Sequence, residues 1–436
     1  MNAFDYVIGY DSVKSRLMDI CRMFSDPKPF LKLGAKLPSG ILLEGEPGLG
    51  KTLMAKCFLA ECGAPSFILR RDCGGALFVD HILEVFHAAK ETAPAVILLD
   101  DMDKFSETDR SDADAEEFVA VQTGMDEVRS SGVLVVATVN NSRKLPNSLK
   151  RPGRFDCVFS LSAPGQADAE AIVRHYLEGK PLGADVDPDD VAKMVTYRSC
   201  AALESTLNRA AMKAGAAGRR AISREDFISV VLEDEFSSDD PFGYRATDAD
   251  ADLLARAALH EAGHLVVSEA LDPGCAGLSA IRVSGRDTEG FVRRTRRAKS
   301  VRDDILISLA GKAAVELYYA PGAAVGCASD LGRAKNLICT GMSTCATHGI
   351  GLLEMADETD WPSDDQRTAL EAASRAELER CLQETRAILM KNRAFLERAA
   401  RALCEKRALT ASEIRALREE AAEVKGTPAF LCPSAA

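Results

Sequence analysis

Gly45-Glu46-Pro47-Gly48-Leu49-Gly50-Lys51-Thr52 follows the apolar run Ile41–Leu43 and opens a helical stretch reaching about Cys62. A strand, a glycine-rich turn and a helix in that order make a phosphate loop of the pattern G-x-x-x-x-G-K-T. The glycines let backbone N–H groups curl round phosphate oxygens, and the helix N-terminus adds a favourable dipole. Lys51 is placed to reach the β- and γ-phosphates, and the Thr52 hydroxyl to hold Mg²⁺. ATP with Mg²⁺ is therefore the expected ligand of this loop.

Working outward, Phe67–Leu69, Ala95–Leu99 and Val133–Thr138 also read as short buried strands, with helical patterns between several of them. That alternation predicts a parallel α/β sheet with helices on both faces. Asp100 and Asp101 end the third of these strands. One carboxylate there can sit beside Mg²⁺ and the next can polarise an attacking water; two solvated acids are the alternative. Asn140 follows the fourth strand and can bond the same water or the γ-phosphate, or simply serve a turn with Asn141 and Ser142. Arg151-Pro152-Gly153-Arg154 sets two fixed positive charges round a tight turn. Such arginines stabilise charge on a transferring phosphoryl group, often from a neighbouring subunit, though solvated surface arginines look the same locally.

From about Gln166 to Glu233 helical periodicity takes over, in Asp168–Leu177, Asp189–Met194, Ala201–Gly215 and Ser223–Leu232. Ser223 with Asp226 makes a box-like helix start. Glu233 to Asp252 is acidic and interrupted by Pro-Phe-Gly, which reads as a linker. A second unit opens with a helix carrying His260-Glu261-Ala262-Gly263-His264. Histidines four apart share one face of a helix, so both imidazoles can hold one zinc ion, and Glu261 can take a proton from a water that the metal polarises. The chain has six histidines in all, so chance spacing is a poor explanation. Ala280–Val292 looks like short strands. The rest is helical to about Lys425, with Ala376–Glu423 typical of packed amphipathic helices.

A catalytic zinc wants a third protein ligand. The extended His-type site would need glycine at 267 and histidine at 270, where this chain has Val267 and Ala270, so that class is excluded. Glu316 and Asp330 remain, and locally Asp330 also reads as a helix-start acid. His348 reads as an ordinary loop histidine.

The 436 residues predict two or three domains. A formal net charge of −12 argues against nucleic acid or an anionic membrane as the main partner. Thirteen cysteines without C-x-x-C pairs read as reduced thiols of a cytosolic protein. The start has neither a basic n-region nor an apolar h-region. The longest apolar runs, such as Gly132–Val139, are too short to span a bilayer.

The order GEPGLGKT, VILLDDMD, Asn140 and RPGRFD resembles an AAA+ ATPase. With HEAGH after the linker, residues 4–420 resemble the cytosolic part of the FtsH family of ATP-dependent zinc metalloproteases. The resemblance implies an α/β AAA+ large subdomain over 1–165 and a small helical lid over 166–235. It further implies a linker over 236–252, a mainly α-helical zinc metallopeptidase domain over 253–425 and a flexible tail over 426–436. It assigns Gly45 to Thr52 to nucleotide, Asp100 to Mg²⁺, Asp101 and Asn140 to hydrolysis, and Arg151 and Arg154 to arginine fingers acting in trans. It makes Glu261 the catalytic base and, through a segment similar to the family's Ser-Asn-Asp, makes Asp330 the third ligand of one zinc per subunit. A homo-hexameric ring acting on polypeptides is implied.

Four departures stand out. Asp101 replaces the family's glutamate and is one methylene shorter. The aromatic-hydrophobic-glycine pore loop has only Phe78-Val79 as its counterpart, with Asp80 in place of glycine, and Phe78 could equally be core. Cys200-Ala201-Ala202 replaces Gly-Ala-Asp. No transmembrane segment precedes Asp5, and Met1 stands directly before the ATPase start, so a soluble cytoplasmic form is expected.

Overall fold

The computed structural model describes residues 2–71, 76–106, 115–237, 251–284, 287–320, 326–343 and 364–423. Its strands β1 (Gly40–Glu44), β2 (Ser66–Leu69), β3 (Ala95–Leu99), β4 (Val133–Val139) and β5 (Cys157–Ser160) form one parallel sheet in the order β2-β3-β4-β1-β5. β3 is apolar throughout, β4 is apolar except for Thr138, and both are buried at every position, as expected for strands covered on both faces. Side chains alternate across the pleat. Leu42 joins one core with Phe78, Phe86 and Phe118, while Ile41 and Leu43 join the other with Leu17, Met54 and Phe58. Helix α1 (Asp11–Ser25) packs on α3 (Lys51–Cys62); α2 (Lys28–Leu31) is a single short turn. α4 (Ala76–Glu91) packs on α5 (Glu116–Glu127), and α6 (Gln166–Leu177) follows the sheet. The β5 strand was not anticipated from sequence, since its four residues, with only Phe159 buried, are too few to show a period.

The chain divides into two units, 1–176 with 197–205, and 177–196 with 206–436. The stretch 166–235 is therefore shared between them. In it lie α7 (Pro188–Met194), α8 (Cys200–Ala216) and α9 (Arg224–Phe236). The expected helix start at Ser223 is present: Asp226 Oδ2 accepts the Ser223 N–H at 2.9 Å.

The second unit is built round α10 (Ala251–Leu271) and α11 (Val301–Tyr318), with α12 (Ala328–Ser343), α13 (Asp364–Lys391), α14 (Arg393–Lys406) and α15 (Ala411–Glu423) about them. A three-stranded antiparallel sheet, ordered β7-β6-β8, completes it: β6 (Ala276–Ser284), β7 (Asp287–Arg294) and β8 (Ala408–Thr410). The hairpin is longer than the sequence pattern indicated. β8 interrupts what reads as continuous helix, because three residues are too few to show a period. α10 and α11 touch at Gly263, where a Cβ would lie 2.5 Å from the Ala310 carbonyl oxygen. Only glycine permits that approach. Among the described residues no helix is long and apolar enough to cross a membrane. The expected linker falls largely on residues 238–250, and the tail and His348 also lie outside the described residues.

Candidate functional site

Helix α10 is mostly apolar and buried on most sides, and its HEAGH turn faces α11, α12 and β7. His260 and His264 sit one turn apart, with their Nε2 atoms 3.1 Å from each other. Asp330, in the first turn of α12, places Oδ2 3.1 Å from His260 Nε2 and 3.4 Å from His264 Nε2. His264 Nδ1 lies 2.7 Å from the Ile307 carbonyl oxygen. A carbonyl only accepts, so Nδ1 carries the proton and Nε2 keeps its lone pair for a metal.

These separations test the fit of zinc. A tetrahedral ion with bonds of ~2.0–2.1 Å sets its ligand atoms roughly 3.3 Å apart. Two imidazole nitrogens and one carboxylate oxygen stand within a few tenths of an ångström of that spacing. Among the described residues this is the one cluster of three metal-type donors. Gly311 of α11 makes room for it: a Cβ there would lie 2.5 Å from His260 Nε2 and 2.6 Å from His264 Nε2.

Burial would raise the Asp330 carboxyl, but hydrogen bonds to the two histidines hold it well below the usual carboxylate range. Burial pushes the Glu261 carboxyl up, against the pull of both histidines. Burial opposes charge on His264, and Asp330 and Glu261 outweigh it. Strand β7 closes on Glu261 at Gly290, where a Cβ would lie 2.5 Å from the Glu261 Cγ. The site opens into a cleft of about 640 Å³. Glu316 is not part of it; it is neutralised by Lys312 and by Arg386, the latter at 2.8 Å.

In the first unit the phosphate loop runs from β1 to α3 at the carboxyl ends of the strands, the usual place for a ligand on such a sheet. Gly48 and Gly50 take φ of 79° and 84°, values that disfavour any side chain. Lys51 Nζ donates to the carbonyls of Gly45 at 2.8 Å and Glu46 at 2.7 Å. Burial draws its pKa down against the nearby acids Asp101, Asp103 and Asp100. Ala201 N–H donates to Gly48 O at 3.0 Å, so the Cys200-Ala201-Ala202 departure abuts the loop.

Asp100 Oδ1 accepts from Thr52 Oγ1 at 2.7 Å and from Thr138 Oγ1 at 2.8 Å. Its Oδ2 pairs with Arg70 Nη2 at 2.6 Å. Burial would raise this carboxyl; the hydrogen bonds hold it low. Asp101 has a left-handed backbone (φ 55°) and pairs with Lys104 Nζ at 2.8 Å. Asn140 stands at the end of β4, its N–H donating to Asp103 Oδ1 at 3.1 Å. Arg154 is held within its own chain by Asp126 at 2.8 Å, Gln122 and the Ser148 carbonyl. Arg151 is exposed.

The residues that match a family model described as "ATPase family associated with various cellular activities (AAA)" are 41–163. The chain is 31% identical over 444 residues to ATP-dependent zinc metalloprotease FtsH 1 of Symbiobacterium thermophilum, covering 95% of this chain and 72% of that protein. The chain belongs to the FtsH family. Two further FtsH relatives agree. FtsH 2 of Salinibacter ruber is 31% identical over 77% of this chain and 51% of its own length. FtsH of Acidothermus cellulolyticus is 32% identical over 77% of this chain and 52% of its own. The chain thus spans about half the length of these two.

Against the FtsH pattern one expectation needs correction. Phe78 lies in α4, fully buried, edge-on to Phe105 with ring centroids 5.0 Å apart. Val79 packs partly buried against the same core. An aromatic ring that fills the core cannot also project to grip a polypeptide, so Phe78 is a core residue. Thr138, Arg70, Lys104, Ile307, Gly290 and Gly311 were not singled out from sequence. Lys104, three residues from Asp101, was the one with a local signal.

Proposed function

We propose that this chain is an ATP-driven zinc metalloendopeptidase that unfolds and degrades polypeptides. The carrying observation is the His260–His264–Asp330 cluster at ligand spacing with buried Glu261 beside it. His260, His264 and Asp330 would hold one zinc ion per subunit. When bound, zinc supplies Lewis acidity for the scissile carbonyl and lowers the pKa of water in the site. Glu261 takes a proton from the attacking water and returns it to the departing amide nitrogen. Burial keeps that carboxyl raised, which suits both acceptance and return. Ile307 fixes the His264 ring, and β7 at Gly290 holds Glu261 in place.

In the other unit Gly45 to Thr52 would cradle the phosphates of ATP. Asp100 with Thr52 would stand beside Mg²⁺, and Asp101 and Asn140 would address the attacking water. Arg151, with Arg154, would serve a neighbouring subunit in a homo-hexamer in the cytoplasm. A protein-degradation assay tests the whole reading: casein turnover with and without ATP by wild type, Glu261→Gln and Lys51→Ala. Both variants should lose ATP-dependent degradation. A zinc-loaded wild type that degrades no unfolded protein with ATP and Mg²⁺ would sink it.

A second reading is an ATP-switched scaffold or remodelling chaperone with weak hydrolysis. Lys104 on the shortened acid Asp101 supports it, together with the burial of Phe78. A large ATPase gain in Asp101→Glu would favour this reading, and no change would remove its main support.

A further inference from the structure

The cleft beside the metal cluster is lined by charges that do not all cancel. Arg256 pairs with Asp252 at 2.9 Å, and Glu289 pairs with Arg282 at 3.0 Å. Asp304 is shared by two guanidiniums: Arg333 Nη2 at 3.4 Å and Arg294 Nη1 at 3.9 Å from the same oxygen, Oδ1. Both contacts are longer than the ~2.7–2.9 Å of a good charged hydrogen bond. At Asp304 two guanidiniums share one carboxylate, a local excess of one positive charge, while the other acids of the cleft, Asp252, Glu261, Glu289 and Asp330, lie elsewhere on its wall. The Arg294 side chain is only 14% exposed; its guanidinium also reaches the Cys275 thiol, but its Nε is buried without a hydrogen-bond partner among the described residues. A guanidinium with five donors held in such a place is costly until an anion fills it.

The placement of the three groups is set by elements that already build the site. Arg333 lies three residues after Asp330 on α12. Asp304 lies three residues before Ile307, the partner of His264, on α11. Arg294 lies on the face of β7 that also carries Gly290. The first two spacings are each about one helical turn, roughly 5 Å along the axis. An extended polypeptide advances ~3.3–3.6 Å per residue, so a peptide with its scissile bond at the cluster brings a neighbouring residue to Arg333 and Arg294.

We propose that Arg294 and Arg333 form a carboxylate-binding subsite that selects substrates with an acidic group within two residues of the cleaved bond. The proposal rests on the peptidase reading above. The planar fork of each arginine suits a carboxylate, which it can take in two parallel hydrogen bonds. Arg333, more than half exposed, is the entry residue; Arg294 is the buried anchor. Asp304 keeps both pointing into the cleft and prevents their mutual repulsion from splaying them apart. The carboxylate has two possible sources, a Glu or Asp side chain and the free C-terminus of a peptide.

The test uses internally quenched, unstructured peptides with the full zinc-loaded chain and ATP. Peptides differ by Glu or Gln at each position within two residues of the bond; a second pair differs by a free or amidated C-terminus. Wild type should favour the Glu peptide by about tenfold in kcat/KM at one position. A preference confined to the free-acid pair would assign the subsite to chain termini. Arg333→Ala should cut the preference to about threefold or less, Arg333→Lys should restore part of it, and Arg333→Glu should favour Lys at that position. Arg333 is exposed enough for these changes to leave the fold intact; Arg294→Gln is the second variant. Equal cleavage of all pairs by wild type overturns the subsite and leaves the peptidase reading standing. If no peptide is cleaved, anisotropy binding of the same peptides to Glu261→Gln protein decides. Equal binding of Glu and Gln, and of free and amidated ends, overturns the proposal independently of turnover.

Discussion

Arg70 Nη2 lies 2.6 Å from Asp100 Oδ2, so a cation of the chain itself sits on the acid expected beside Mg²⁺. Mg²⁺ arriving with nucleotide competes with that guanidinium. Arg70 is largely exposed, so solvent screens the pair and its worth is about 0.2–1 kcal/mol. Arg70→Ser should therefore lower the Mg²⁺ concentration for half-maximal binding of a fluorescent ATP analogue by a factor of about 1.4 to 5. An unchanged Mg²⁺ titration would show that the pair opens freely.

Gly290 and Glu261 make a second testable contact. A Cβ at 290 would lie 2.5 Å from Glu261 Cγ and 2.6 Å from its Oε1. Gly290→Ala should push the carboxylate aside, and a displacement near 1 Å costs about a hundredfold in rate. Peptidase kcat should fall by that order while zinc content stays at the wild-type value. Loss of zinc along with activity would place the damage elsewhere.

Gly311 guards the proposed metal site instead. Its added Cβ would crowd both histidine Nε2 atoms. Gly311→Ala should weaken zinc at least about tenfold, the lower end for damage to groups around a metal. Competition with a chromophoric chelator measures this without any turnover, and wild-type affinity would contradict it.

Phe78 distinguishes core from pore by stability. As a buried aromatic it should cost about 3–5 kcal/mol when changed to alanine, seen as a lower urea midpoint for the nucleotide-binding unit. A projecting gripping residue would instead leave the midpoint in place and selectively slow degradation.

Asp226 carries a pH dependence. Burial would raise its carboxyl, but bonds from Arg219 and from Ser223 hold it below the ordinary value. A depressed folded pKa contributes stability that is present above the unfolded pKa, about 3.9. That stability is lost as pH falls through the folded value. Asp226→Asn should lower stability at pH 7 by about 1 kcal/mol through the helix-start charge, and the difference should begin to narrow near about pH 4 and vanish only once the pH is below the lowered folded value. A gap between wild type and variant that does not narrow in acid, followed by circular dichroism, would refute this.

The chemistry of this chain is legible where its determinants are local. HEAGH places two histidines on one helical face by the 3.6-residue period alone. The phosphate loop needs only a strand, glycines free to take positive φ, and a helix start. The alternation of short apolar strands and helices announces a parallel sheet, whose central members are buried throughout.

Tertiary structure decided what depends on residues far apart in the chain. Asp330 reads locally as a helix-start acid; it meets the histidines, seventy residues away, because α11 packs on α10 and α12 packs on α11. Arg70 reaches Asp100 because β2 pairs with β3, and Thr138 reaches it because β4 lies on the other side of β3. In sequence Phe78 reads equally as a gripping aromatic or a core residue; its α4 face is covered by the core. Local pattern specifies which groups a helix or strand can present; only the packing of elements specifies which groups meet and which face water.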